Sequence, residues 1–276
     1  MTGMASASHP PGTLILKPSQ ELLRKAHGLE GLNNRLTYTT KERRVVVAGG
    51  EPIAYNLYKL LAFKKELDYR FQEVLHVRVR PWMFVALAVA RVLTRDAFAT
   101  LNGYWNTHDT DQKYDSVALY ASVHLGFSYD RGTPPRIDRE QRTIGEGTPG
   151  LRILTLRDAH MKSCAEFLAS LDDLLKRADL DTRKGTRIKD TKLEEWTGAT
   201  FIFNNIGALR HARGWSILSP HISALMNMGH IAPDGTATFQ IFFDHRMCDG
   251  SLVTAFTDAV YEELGRVLTE VNALIA

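Results

Sequence analysis

The stretch WMFVALAVARVL, residues 82–93, is apolar nearly all the way round, with Arg91 as its one charge. A helix of that kind has no polar face to offer water, so it must be enclosed on most sides. Pro81 stands just before it and suits the first turn of a helix. The run is too short to span a bilayer, and Arg91 interrupts it. The fold must therefore wrap this segment in protein. A chain of 276 residues, 44% of them hydrophobic, is large enough to do so.

The surrounding segments supply the wrapping. Residues 35–48, RLTYTTKERRVVVA, carry β-branched residues and read as a strand. Residues 56–75 place Leu57, Leu60, Leu61, Leu67 and Phe71 at helical spacing, which predicts an amphipathic helix. Residues 114–128 alternate and predict a strand, and 129–150 read as a long loop. A helix follows over 163–178. Three strands are expected at 199–206, 222–228 and 236–243, with Asp234-Gly235 as a hairpin signal before the last. A closing helix over 251–275 spaces Phe256, Val260, Leu264, Val267 and Leu268 by one to four residues, mostly three or four. No repeat and no internal boundary divides the chain. This order of elements fits a single α/β domain with a mixed sheet better than a doubly wound fold.

Composition narrows the function classes. A net charge of +3 is too weak for a nucleic-acid binder unless clustered. The basic stretch Arg183, Lys184, Arg187 and Lys189 is flanked by aspartates and reads as a solvated linker. No Gly-rich phosphate loop follows a strand. Cys164 and Cys248 stand far apart without metal spacing, so a reducing, cytoplasmic setting is expected, with no metal site. Residues 1–20 are expected to form a flexible tail, since MTGMASASHPPG has neither a signal-peptide nor an anchor pattern.

The stretch FFDHRMCDGSLV, residues 242–253, then concentrates chemistry at a strand end. A neutral imidazole is the side chain best matched to take a proton near physiological pH, so His245 is a candidate general base. Asp249 is placed to pair with an arginine or to cap the following helix. Gly250 permits a close approach or a positive φ. Asp244 and Arg246 are expected to flank the turn as ion-pair partners, and Cys248 to pack as a small apolar residue. The bland alternative is a capped turn with an incidental histidine.

FDHRMCDG followed by an amphipathic helix resembles the signature of the dihydrolipoamide acyltransferase core of 2-oxoacid dehydrogenase complexes. Other segments agree in order. TGATFIFNNIG, 197–207, resembles that family's Gly-Thr-Phe-Thr-Ile-Ser-Asn-Leu-Gly strand, ISALMNMGHI, 222–231, the strand after it, and residues 82–105 the helix leading to an asparagine before a strand.

The resemblance implies a chloramphenicol acetyltransferase-like two-layer sandwich with a mixed sheet, residues 21–276 forming one acyltransferase-like catalytic domain. It implies His245 as the base that deprotonates a thiol or hydroxyl, with coenzyme A as a substrate. Asp249 would fix the histidine loop through a salt bridge, Arg35 being one possible partner. Basic residues in 131–142 and 183–189 are candidates for the coenzyme A phosphates. In that family the site lies between subunits. A homotrimer, or an assembly of trimers, is therefore expected, with His245 facing Asn204 of a neighbouring copy.

Two departures qualify this. Where the family has its oxyanion-binding serine, this chain has Asn204, whose amide can also donate. No lipoyl domain or Ala/Pro linker is recognisable. The expectation is thus a free-standing acyltransferase, or a core-like subunit served in trans by a lipoyl-bearing or carrier protein. A catalytically silent assembly subunit is the first alternative. A condensation-type module is another, although those show paired histidines and here Asp244 precedes His245.

Overall fold

The computed structural model describes residues 12–16, 19–20, 47–50, 52–106, 115–130, 137–138, 143–144, 151–183, 190–210, 214, 216–219 and 221–275. Strands are β1 (Leu14–Leu16), β2 (Val47–Gly49), β3 (Ile53–Asn56), β4 (Gly103–Asn106), β5 (Ser116–Leu119), β6 (Leu125–Asp130), β7 (Ile137–Asp138), β8 (Thr143–Ile144), β9 (Leu151–Leu156), β10 (Phe201–Asn205), β11 (Ala224–Met228) and β12 (Thr236–Asp244). Helices are α1 (Tyr58–Leu75), α2 (Pro81–Val92), α3 (Cys164–Arg183) and α4 (Gly250–Ile275).

The main sheet runs β2-β12-β11-β10-β6-β9, with β3 also pairing β12. β10 lies parallel to both its neighbours, β11 and β6, and the remaining pairs are antiparallel. This is the mixed sheet expected. A second sheet, β1-β5-β4, is small and antiparallel, and β7 pairs with β8.

Side chains alternate across each strand, and the alternation sorts the core into two layers. Phe201 and Phe203 of β10, Ala224, Met226 and Met228 of β11, and Phe239, Ile241 and Phe243 of β12 join the large cluster under the helices. α2 sits in that cluster with every residue from Met83 to Ala90 buried, as its all-round apolar sequence requires. Its C-terminal end is tied to α4, where Arg91 donates to both carboxylate oxygens of Glu270 at 2.7 and 2.8 Å and Arg95 meets the buried Glu263 at 2.7 Å. On the other sheet face Ile202, Leu225 and Phe242, in register across three strands, pack with Leu218 and Ile222.

Several expectations need correction. Residues 114–128 are not one strand: β5 belongs to the small sheet and β6 to the main one. The chain changes sheets between them, and Asn102 Nδ2 holds the crossing by donating to the carbonyls of Tyr120 and Ser122 at 3.2 and 3.1 Å. The segment 1–20, read as a tail, contributes β1, which pairs with β5 from Leu14 to Leu16. The long loop holds the β7–β8 hairpin, and β9 and β3 carried no recognised signal. Of 35–48, only the last residues, in β2, are described. Arg35 and nearly all of 131–142 and 184–189 lie outside the described residues. Among the described residues, no helix is long and apolar enough to cross a membrane.

Candidate active site

β12 ends at Asp244, and α4 begins at Gly250. The corner between them is built around a buried ion pair. Arg246 Nη2 meets Asp244 Oδ2 at 2.6 Å, Arg246 Nε donates to Oδ1 at 3.0 Å, and the Arg246 backbone N–H donates to the same Oδ1 at 3.1 Å. Arg246 is only 1% exposed, and its guanidinium lies 5.4 Å over the Trp105 ring of β4. Asp244 also accepts through its backbone carbonyl from the N–H groups of Met247 and Cys248, at 2.9 and 3.3 Å. The two residues flanking His245 are thereby pinned into the fold, as the sequence suggested.

His245 itself is half-buried. Its ring packs edge-on against Phe243, centroids 5.5 Å apart. Nδ1 is buried without a hydrogen-bonding partner among the described residues. Buried polar atoms without partners are uncommon in folded proteins.

Asp249 takes the capping role expected of it. Its Oδ1 accepts from the backbone N–H of Leu252 at 3.0 Å and the hydroxyl of Ser251 at 2.7 Å, which makes it the N-cap of α4. Gly250 does not use the freedom expected of it. Its φ is not positive, and a Cβ there would meet nothing within 4 Å. Cys248 is buried in the core, with its thiol 3.6 Å from the Asp244 carbonyl.

Asn204 sits elsewhere, in the middle of the sheet. It is 8% exposed and in register with Asn227 of β11, which is in register with Gln240 of β12. Its Oδ1 accepts from the hydroxyl of Ser128 on β6. Its Nδ2 donates to Asn227 Oδ1 at 3.0 Å and lies 3.5 Å from Ser216 Oγ. Ser216 donates to the same Asn227 oxygen at 3.0 Å, and Asn227 Nδ2 donates to the Gly214 carbonyl at 3.1 Å. Ser128, Ser216 and Asn227 escaped the sequence reading. The available signal was a polar residue inside an apolar strand, as in ALMNM and TFQIFF.

Within one chain the structure does not bring His245 and Asn204 together. From Gln240 to Asp244 the strand advances about 13 Å, and two strand spacings add about 10 Å sideways, which leaves the sites on the order of 15 Å apart. A base and an oxyanion donor serving one carbonyl must both lie about 3 Å from the reacting atoms.

Residues 53–271 match the family model of the 2-oxoacid dehydrogenases acyltransferase catalytic domain, and the chain belongs to that family. It is 24% identical over 216 residues to the dihydrolipoyllysine-residue acetyltransferase component of the acetoin cleaving system of Bacillus subtilis, covering 74% of this chain but 46% of that protein. The chain thus spans about half the length of that curated relative. Among solved structures, a probable dihydrolipoamide acetyltransferase from Listeria monocytogenes superposes with a TM-score of 0.62 at 14% identity, covering 95% of this chain and 97% of that one. The dihydrolipoamide acetyltransferase of Azotobacter vinelandii gives 0.59 at 18%, covering 94% and 93%. At such identities the likeness is one of fold.

Proposed function

We propose that the chain moves an acyl group between a coenzyme A thioester and a thiol, hydroxyl or amine acceptor, with His245 as general base. The observation that carries this is the half-buried His245 ring, set at a corner fixed by the Asp244–Arg246 ion pair, in a family of acyltransferases. The imidazole takes the proton from the acceptor, whose sulfur, oxygen or nitrogen attacks the thioester carbonyl; the tetrahedral intermediate then collapses, the C–S bond breaks, and the proton passes from His245 to the departing coenzyme A thiolate. The negative charge that develops on the carbonyl oxygen needs a fixed donor. Asn204 is the residue at the family's serine position. Since it stands on the order of 15 Å away in the same chain, it serves from a second copy. A homotrimer or assembly of trimers is the arrangement this reading requires. A dihydrolipoyl group borne by another protein is one acceptor it accommodates.

The Azotobacter work concerns the roles of a serine, a histidine and an asparagine in catalysis, the last two numbered four apart. His245 and Asp249 keep that spacing, with aspartate in place of asparagine. Asp249 acts here by capping α4 and so fixing where the corner leaves the sheet.

One observation favours a second reading, a silent assembly subunit: the Asn204 amide is already engaged by Asn227. The test is to incubate the purified protein with a panel of acyl-CoAs and acceptors, dihydrolipoamide included, and follow free thiol. Release that is abolished by His245→Ala is expected. Coenzyme A binding with no transfer to any acceptor would establish the silent subunit instead.

A further inference from the structure

The hydrogen bonds around Asn204 have a direction. Gly214 offers a backbone carbonyl, which can only accept, so the Asn227 side chain must present Nδ2 to it, at 3.1 Å. That turns Asn227 Oδ1 toward Asn204, which must answer with Nδ2, at 3.0 Å. Asn204 Oδ1 then faces Ser128, whose hydroxyl donates to it. Reversing the Asn204 amide would set oxygen against oxygen at Asn227. Reversing both would set oxygen against the Gly214 carbonyl. A main-chain atom thus fixes the orientation of two side-chain amides in series.

We infer that Asn227 is a positioning residue for the reaction proposed above: it dictates which way the Asn204 amide faces. The inference rests on that reading. Asn227 is 1% exposed, so water does not compete for its oxygen. One Nδ2 hydrogen of Asn204 is committed to Asn227. The other points toward Ser216 across a long 3.5 Å contact. Ser216 already donates to Asn227 and keeps that bond if Asn204 turns to another acceptor. The Ser216 contact is therefore the one an oxyanion replaces without breaking the series. Ser216 stands on a partly exposed segment beside Ile217, which is 89% exposed. A serine hydroxyl rotates freely and needs no such lock. An amide is useful as a donor only if something prevents it from presenting its oxygen.

The experiment is a double-mutant cycle on turnover. Asn227→Leu removes the accepting oxygen and should lower kcat roughly tenfold with KM unchanged, a part of the about hundredfold lost on removing the donor itself by Asn204→Ala. The double variant should be no worse than Asn204→Ala alone, because Asn227 acts only through Asn204. Losses that multiply in the double variant, or a KM that rises as kcat falls in Asn227→Leu, would overturn the inference. Melting curves of each variant report folding separately. If the wild-type protein transfers no acyl group, the enzyme reading fails but the lock remains testable. With asparagine labelled in ¹⁵N, the Asn204 side-chain hydrogens should exchange slowly in the wild type and quickly in Asn227→Leu. Equal exchange rates would show that Asn227 positions nothing.

Discussion

The His245 corner and the Asn204 row are built in opposite ways. At the corner, Asp244, Arg246, Cys248, Asp249 and Ser251 bond to one another within a few residues of chain, with Trp105 and the Ser223 carbonyl among the distant contacts. In the row, the partners of Asn204 stand 76, 23 and 12 residues away. The corner is a local structure that the fold holds in place. The row exists only because the sheet aligns β6, β10 and β11. The difference predicts how each fails: the corner by losing its ion pair, the row by losing its orientation.

The largest effect is expected at the corner. Arg246→Met leaves the Asp244 carboxylate buried without its partner and should cost about 3–5 kcal/mol, measurable by denaturant unfolding. A loss well under 1 kcal/mol would mean the pair is not what holds the turn. Next comes His245→Ala, which should lower turnover about a hundredfold or more while leaving the unfolding midpoint near wild type. The row should respond differently. Asn204→Ala should reduce turnover by a similar order, whereas Asn204→Ser, with a rotatable hydroxyl, should retain activity or raise it. If Asn204→Ser is as inactive as Asn204→Ala, the row supplies something other than a donor.

The smallest expected effect lies away from both regions and serves as a reference for stability. Arg177 donates to both carboxylate oxygens of Glu195 at 2.7 and 2.8 Å, which holds that carboxyl below its ordinary value of 4.5. A carboxyl lowered on folding stabilises the native state above its unfolded value, and the gain is lost as pH falls through the folded one. Arg177→Met should therefore flatten the loss of stability below about pH 4.5 and leave turnover at neutral pH unchanged. Unfolding midpoints measured from pH 3 to pH 7 would show it, about two units either side of that range's centre.

The same contrast explains what could be read from the sequence. Helical spacing in 56–75, 163–178 and 251–275, and the all-round apolar run of α2, announce their elements because periodicity is a local property. The motif around His245 is local too, and its ion pair and capping aspartate were both legible. The break between β5 and β6 was not, since Asn102 holds it from outside the segment. Nor was the row: nothing in the residues near Asn227 says that it lies beside Asn204 until the parallel register of β10 and β11 is known. Gly250 was over-read, because its neighbours leave open space where a close approach was expected.

Separation of the two regions within one chain makes a demand that one experiment meets directly. His245→Ala and Asn204→Ala, each inactive alone, are mixed by co-expression or by unfolding and refolding together. If the site joins His245 of one copy to Asn204 of another, the mixture should recover about a quarter of wild-type turnover, the share of interfaces that unite two intact residues at random. No recovery in mixed assemblies, with wild type active under the same conditions, would contradict a site shared between copies.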